Sequence, residues 1–225
     1  MKSKLDQALI LCGGKGQRLK PITNKIPKPL VKIGKEPILS HQIKYLYNNG
    51  VNDFVVATGY KSELIEKFIK QSFDNLNITI VDSGDADILV RINDCKKYLH
   101  NQFLICYGDT LADINIKKLN EFHNNHNGKV TISSYQLHSQ FGIVKTNNDN
   151  LVLEFLEKPK LDAWINIGYF VFDKTALLNK DNFADFISYL AELEDLYSYK
   201  HKGLHITVNT LKELKEAELN IINFS

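Results

Sequence analysis

Three glycines and two cations stand directly after the first apolar run of the chain, in Leu11-Cys12-Gly13-Gly14-Lys15-Gly16-Gln17-Arg18-Leu19. Glycine lets a backbone approach an anion closely and turn successive N–H groups toward it, and the planar guanidinium of Arg18 chelates phosphate oxygens. The chemistry on offer is phosphate binding, with a glycine-rich turn carrying solvated cations as the plain alternative. Neither standard phosphate loop fits the spacing. Lys15 is followed by Gly16 where a P-loop needs Ser or Thr, and Leu19 stands where a dinucleotide fingerprint needs a third glycine or alanine. Kinase, ATPase and dehydrogenase chemistry drop out on those grounds. Lys28, ten residues beyond Arg18, lies between Pro27 and Pro29. The two prolines are expected to hold it extended and to limit where its ammonium points. A rigidly aimed lysine beside a phosphate cradle suits phosphoryl or nucleotidyl transfer.

Further along, Asp109 follows the strand-like run Phe103-Leu104-Ile105-Cys106-Tyr107 and a glycine, Gly108. Its carboxylate is expected at the carboxyl edge of a sheet, where a hard oxygen can hold Mg²⁺ between nucleotide phosphates. A turn or helix-capping Asp is the other reading. His123 and His126 have the H-x-x-H spacing of a metal pair on a helix, but Asn124, Asn125 and Asn127 surround them and favour a solvated polar face. The three cysteines are far apart and read as reduced packing residues, Cys12 and Cys106 in strand-like runs and Cys95 in a helix.

The elements that must position these residues alternate. Apolar runs at 8–12, 54–57 and 103–106 read as buried strands, and helical patterns follow them over 38–49, 61–71 and 116–126. Continuous apolar strands separated by helices indicate βαβ units and a parallel sheet covered on both faces. In such a sheet, ligands bind beyond the carboxyl ends of the strands, where both the glycine loop and Asp109 fall. From 129 to 172 strands follow closely, at 130–135, 142–145, 151–155 and 167–172, with a turn at Asn147-Asn148-Asp149-Asn150. This part is expected to be antiparallel or mixed and joined to the same sheet. A helix, a strand near 204–208 and a helix from about 211 complete the chain. The pattern predicts an α/β doubly wound mixed sheet, mainly parallel with an antiparallel second half, in a single domain over 1–225.

Such a domain of 225 residues is long enough to bury its core without disulfides or metals. Its 28 Lys and Arg against 26 Asp and Glu leave a formal net charge of +2, without blocks of like charge. That balance excludes a protein held on nucleic acid by neutralising many phosphates, and one docked on anionic lipid. A polymerase-like function also lacks a basic stripe or aromatic platform for a strand. No apolar run approaches the ~18–20 residues of a membrane span and no signal-peptide pattern precedes the first strand, so the chain reads as cytoplasmic. Apolar face residues leave a homo-oligomer open.

Taken together, the motifs resemble the sugar-1-phosphate nucleotidylyltransferase family, whose signature is Gly-Gly-x-Gly-Thr-Arg-Leu followed by Pro-Lys-Pro. Gln17 stands here in place of the threonine. Tyr107-Gly108-Asp109, Leu156-Glu157-Lys158-Pro159-Lys160 and Asn166-Ile167-Gly168-Tyr169-Phe170 extend the resemblance over nearly the whole length. The resemblance implies a Rossmann-like core in which Leu11, Gly13, Gly14, Gly16, Lys28 and Gly108 bind nucleotide. It implies that Arg18 and Lys28 act on the phosphates, that Lys158 contacts the acceptor's phosphate, and that Asp109 ligates Mg²⁺. The family usually has a second carboxylate before the last helix, where this chain has Asn209. Its amide oxygen would ligate more weakly; Asp85 or Asp87 would be substitutes, and N-capping of the last helix is its other role.

Val81-Asp82-Ser83-Gly84-Asp85 resembles the cytidylyltransferase branch, and the Gln-containing loop of thymidylyl and uridylyl enzymes is missing. Asp82, Ser83 and Gly84 are thus expected at the nucleotide, with CTP as donor and a small phosphorylated metabolite as acceptor. Where the branch has Thr-Met-Thr-Gly-Gly-Arg, this chain has Asp87-Ile88-Leu89-Val90-Arg91, apolar and one residue shorter. An apolar stretch offers a hexose few partners. The chain in this respect resembles cytidylyltransferases that act on glutamine phosphorylated on its amide nitrogen, in capsule phosphoramidate synthesis. Arg91 or Lys61 would then meet the amino-acid carboxylate. Glucose 1-phosphate is the alternative acceptor, and a non-catalytic nucleotide-binding regulator the alternative function.

Overall fold

The computed structural model describes residues 4–224 apart from Asn179 and Asp181. Its strands are β1 (Gln7–Leu11), β2 (Asp53–Thr58), β3 (Asn77–Asp82), β4 (Gln102–Tyr107), β5 (Thr110–Ala112), β6 (Val130–His138), β7 (Ile143–Thr146), β8 (Val152–Leu156), β9 (Lys160–Asp173), β10 (Leu196–His201) and β11 (His205–Thr207), with a further two-residue ladder between Lys32–Ile33 and Glu36–Pro37. The helices are α1 (Ile38–Asn48), α2 (Ser62–Ser72), α3 (Ile88–Cys95), α4 (Ile116–His123), α5 (Phe183–Glu192) and α6 (Leu211–Asn220). None is long and apolar enough to cross a membrane.

A seven-stranded sheet runs in the order β10-β6-β9-β4-β1-β2-β3. β1 is parallel to β2 and β4, and β2 to β3. The central strands read as unbroken apolar runs because both faces are covered. α1, α2 and α4 bury Leu39, Ile43, Ile65, Ile69 and Leu119 against Ile10, Val56 and Cys106 on one face. On the other, α3 and α5 bury Leu89, Ile92, Phe186 and Leu190 against Leu9, Ile105 and Phe172. This is the doubly wound, mainly parallel α/β sheet expected from the sequence.

The second half is mixed, as expected, with two features beyond that expectation. Within the main sheet only β9 runs against the others, antiparallel to both β4 and β6, while β10 returns parallel to β6. β10 is an edge strand, Leu-Tyr-Ser-Tyr-Lys-His, with no apolar run to betray it. The strands expected at 142–145 and 151–155 form as β7 and β8, yet they pair only with each other in a separate two-stranded sheet.

Two strand registers and one apolar cluster set up the site. Leu11 pairs with Tyr107, so the glycine loop and Gly108-Asp109 leave the sheet side by side, tied by Gly108 N–H to Leu11 O at 3.0 Å. β5 pairs antiparallel with β11, Thr110 opposite Thr207, which brings Val208-Asn209 back alongside Asp109. Leu19, Val31, Ile33 and Leu111 then bury Ile206, Val208 and Ala217 in a third cluster beneath α6, fixing the far end of the glycine loop.

Candidate active site

A cavity of about 530 Å³ opens over the carboxyl ends of β1 and β4. Leu11, Gly13, Gly14, Gly16, Arg18, Lys28, Gly108, Asp109 and Asn209 all line it, so nine residues expected from the sequence are brought together. Residues 12–16 make the turn. Gly16 has φ of 58° and its missing Cβ would lie 2.9 Å from Thr23 Cγ2, so a side chain is excluded by conformation and by space. Thr23 Oγ1 donates to Gly16 O at 2.9 Å and Tyr60 Oη to Thr23 O at 3.0 Å, which hold that turn against the neighbouring loops.

Lys28 is reached differently from expectation. Pro27 is extended, with ψ of 151°, but Lys28–Leu30 closes as a short 3₁₀ turn through Leu30 N–H to Pro27 O. The side chain is 9% exposed, and its Nζ donates to Asp109 Oδ2 at 2.6 Å and Asn209 Oδ1 at 2.8 Å. Arg18 Nη2 donates to the same Asn209 oxygen at 3.0 Å. Asn209 is therefore a neutral acceptor that aims two cations without cancelling their charge. An ammonium has three N–H donors and a guanidinium five, so both retain donors for phosphate oxygens.

Asn209 does not cap α6, as its position suggested. Thr210 is the N-cap, its Oγ1 accepting from Glu213 N–H at 3.2 Å, while Glu213 Oε2 accepts from Asn209 N–H at 2.6 Å. The reciprocal bonds leave the Asn209 side chain to the site. The substitutes have other partners, although Asp85 lines the same cavity. Asp85 pairs with Lys15 at 2.5 Å, a hydrogen bond that holds its carboxyl below the ordinary range, and Asp87 caps α3 by accepting from Leu89 N–H at 2.9 Å.

Asp109 and Asn209 supply hard oxygens on one rim, which is the donor chemistry for a Mg²⁺ shared with nucleotide phosphates. Among the described residues no group of three or more His, Cys, Asp or Glu side chains could hold a metal unaided. Asn209→Asp is accordingly expected to tighten divalent-metal binding in the presence of a nucleoside triphosphate by roughly tenfold, through added carboxylate charge. Mn²⁺ titration followed by electron paramagnetic resonance checks it, and an unchanged affinity would remove Asn209 from the metal site.

Arg91, one of two cations offered for an acceptor carboxylate, has its role set by the fold. Its guanidinium is 4% exposed and donates to three backbone carbonyls: Thr58 O, Gly84 O at 2.8 Å and Gly13 O at 3.3 Å. A Cβ on Gly13 would lie 2.0 Å from its Cζ, so the glycine loop rests directly on the buried cation. Arg91 thus fastens three loops and is not available to an acceptor carboxylate. Lys61 lies instead over the Tyr60 ring, 5.4 Å from its centroid, and lines neither cavity described here.

The acceptor-side expectation changes with it. Ile88-Leu89-Val90 opens α3, with Leu89 in the core, Val90 exposed and only Ile88 on a cavity. The apolar character of this stretch is helix packing. A second cavity of about 620 Å³ shares Ile88 and Tyr107 with the first, and its polar lining is Asp87, Asn166 and Asn182. Asp82, Ser83 and Gly84 do not line the first cavity; Asp85 and Ala86 do. Gly84 acts through the carbonyl that holds Arg91. Lys158, in the turn between β8 and β9, is exposed and lines neither cavity.

The H-x-x-H pair is also not the solvated face expected. His123 is buried and both rings bond the Thr131 hydroxyl, His123 Nδ1 at 2.8 Å and His126 Nε2 at 2.7 Å. Burial lowers the His126 pKa. The three cysteines are buried free thiols, as expected, with burial pushing each pKa up.

Comparison with known proteins agrees with this geometry. The "Nucleotidyl transferase" family matches residues 7–213. The chain is 34% identical over 239 residues to a "Probable glucose-1-phosphate cytidylyltransferase" of Bacillus subtilis, covering 93% of this chain and 94% of that protein. It is 32% identical over 238 residues to the "Glucose-1-phosphate cytidylyltransferase" of Salmonella typhimurium, covering 92% of each. The fold is shared with HddC of Yersinia pseudotuberculosis, at a TM-score of 0.77 and 22% identity over 96% of this chain and 100% of that one. With the family matched over residues 7–213 and the Bacillus relative over 93% of its length, the chain belongs to the nucleotidyl transferase family of enzymes.

Proposed function

We propose that this nucleotidyltransferase, on a single domain, transfers CMP from CTP to a hexose 1-phosphate, glucose 1-phosphate foremost, with release of pyrophosphate. The observation that carries the reading is the convergence of Arg18 and Lys28 on Asp109 and Asn209 beside the glycine loop. The names of the Bacillus and Salmonella relatives support both the cytidylyl donor and the sugar acceptor. They favour glucose 1-phosphate over amide-phosphorylated glutamine, and α3 removes the residue-level reason for the latter.

An oxygen of the acceptor's phosphate attacks the α-phosphorus of CTP in line; the new O–P bond forms as the bond to the pyrophosphate oxygen breaks. N–H groups of the glycine loop receive the triphosphate, while Lys28 and Arg18 offset charge on the transferring group. Asp109 and Asn209 would hold Mg²⁺, which when bound supplies further neutralisation between the phosphates. The acceptor phosphate is a dianion at neutral pH and needs no general base. The adjoining cavity takes the acceptor, its amide and carboxylate groups meeting hydroxyls and its apolar walls the sugar ring. Lys158 is proposed at the acceptor's phosphate, which requires it to turn inward from its exposed position.

Base choice gives a direct test. Cytosine offers an amino donor where uracil offers a carbonyl, and a pocket matched to one leaves a buried group unpaired with the other, at ~1–3 kcal/mol. With glucose 1-phosphate, pyrophosphate release from CTP is expected to exceed that from UTP or dTTP by roughly tenfold or more. Equal turnover of the three would refute the cytidylyl assignment. In the same assay, turnover of phosphoglutamine and not of glucose 1-phosphate would reverse the acceptor assignment, and no release with any acceptor would favour a nucleotide-binding regulator.

A further inference from the structure

Two carboxylates line the main cavity from opposite sides. Asp109 follows β4 and Asp85 follows β3, and the sheet order β4-β1-β2-β3 sets the glycine loop between them. Asp109 lies at the cationic end, bonded to Lys28. Asp85 lies at the other, where its neighbours on the cavity wall are Ala86 and Ile88.

The segment before Asp85 fixes where it stands. Gly84 N–H donates to Asp82 Oδ1 at 3.0 Å, and Gly84 turns the chain with φ of 61°. One guanidinium, that of Arg91, holds both Gly84 O at 2.8 Å and Gly13 O at 3.3 Å, so Asp85 leaves from a point tied to the glycine loop. Its Oδ2 accepts from Lys15 Nζ at 2.5 Å, and the two side chains are 78% and 48% exposed. A pair so exposed contributes little. Lys15 belongs to the glycine loop, and a triphosphate seated there brings several negative charges that outcompete a single carboxylate for the ammonium. Asp85 is then an ionised acceptor beside a bound polyanion, and it needs a donor.

We propose that this donor is the exocyclic amino group of the nucleobase, and that Asp85 is the residue by which the site takes cytosine and rejects uracil and thymine. The inference rests on the cytidylyl reading given above. A carboxylate accepts from the 4-amino group of cytosine; uracil and thymine present a carbonyl oxygen at that position, and two acceptors then face each other. Ala86 and Ile88 offer apolar contact to the flat base. Asp82, Ser83 and Gly84 serve the base through the turn that carries Asp85.

Isothermal titration calorimetry of CTP and of UTP in Mg²⁺, on the full chain, tests this without an acceptor. The wild type is expected to bind CTP more tightly than UTP by roughly tenfold or more, and Asp85→Asn to bring the two within about threefold, because an amide offers an acceptor and a donor alike. Lys15→Met separates base reading from closure of the loop: it should weaken both nucleotides equally and leave their ratio as in the wild type. A wild type that prefers CTP, with a ratio that Asp85→Asn leaves unchanged, overturns the inference while the cytidylyl reading stands. A ratio that collapses as far in Lys15→Met as in Asp85→Asn also overturns it, since the ion pair and not the carboxylate would then set the choice. A wild type without preference removes the cytidylyl reading and the inference with it.

Discussion

Asp109→Ala is expected to lower kcat by a hundredfold or more, on the order of 3 kcal/mol of transition-state stabilisation, with CTP binding in the absence of metal reduced far less. Two losses combine. The carboxylate leaves the rim where charge must be neutralised, and the Lys28 ammonium loses its 2.6 Å partner, keeping only Asn209 Oδ1 at 2.8 Å to aim it. Asp109→Asn separates the two, because the amide can still accept from Lys28 but brings no charge. If charge is what matters, Asn should be nearly as damaging as Ala; if aiming Lys28 is what matters, Asn should restore much of the rate. Steady-state pyrophosphate release measures both, and full activity of Asp109→Ala in chelator would exclude Asp109 from the reaction.

Arg91→Met should cost about 3 kcal/mol of folding stability and weaken CTP binding by tenfold or more, although Arg91 is nearly all buried. Methionine fills much of the volume but removes the guanidinium from all three carbonyls, leaving Gly13 O only the Tyr60 N–H at 3.2 Å and Thr58 O only the Ser83 N–H at 3.3 Å. Those carbonyls belong to the loop after β1, the last residue of β2 and the loop after β3, so the glycine loop loses its support along with its neighbours. Lysine should rescue poorly, having a point charge in place of a planar fork that serves three acceptors. Urea denaturation and equilibrium CTP titration are the checks, and a variant as stable and as tight as wild type would show that the buried cation does not hold the loop.

The contrast between Lys28 and Arg91 explains how far the site was legible. Glycine loop, Pro-Lys-Pro and Gly-Asp are local signals, because strand, turn and functional group lie within a few residues, and the sheet then brings them to one rim. Asn209 could be found through its place before the last helix, but its bonds to Lys28 and Arg18 span 181 and 191 residues and depend on the β5–β11 pairing. Arg91 follows Ile88-Leu89-Val90, which by residue type suits either a ligand wall or a buried helix turn. The carbonyls that decide between them lie 78, 33 and 7 residues away in sequence. β7 and β8 were visible as apolar runs, yet apolarity alone did not say that they would stand outside the main sheet.

Attack of the acceptor's phosphate on the α-phosphorus of CTP is the central claim, and the fate of an oxygen label tests it most directly. Glucose 1-phosphate carrying ¹⁸O in its phosphate, incubated with CTP, Mg²⁺ and the enzyme, should give a CDP-linked sugar that retains all the label, observed as isotope-shifted ³¹P resonances, and unlabelled pyrophosphate. Hydrolysis of CTP with no labelled pyrophosphate-bridged product, or label released into pyrophosphate, would contradict nucleotidyl transfer at this site.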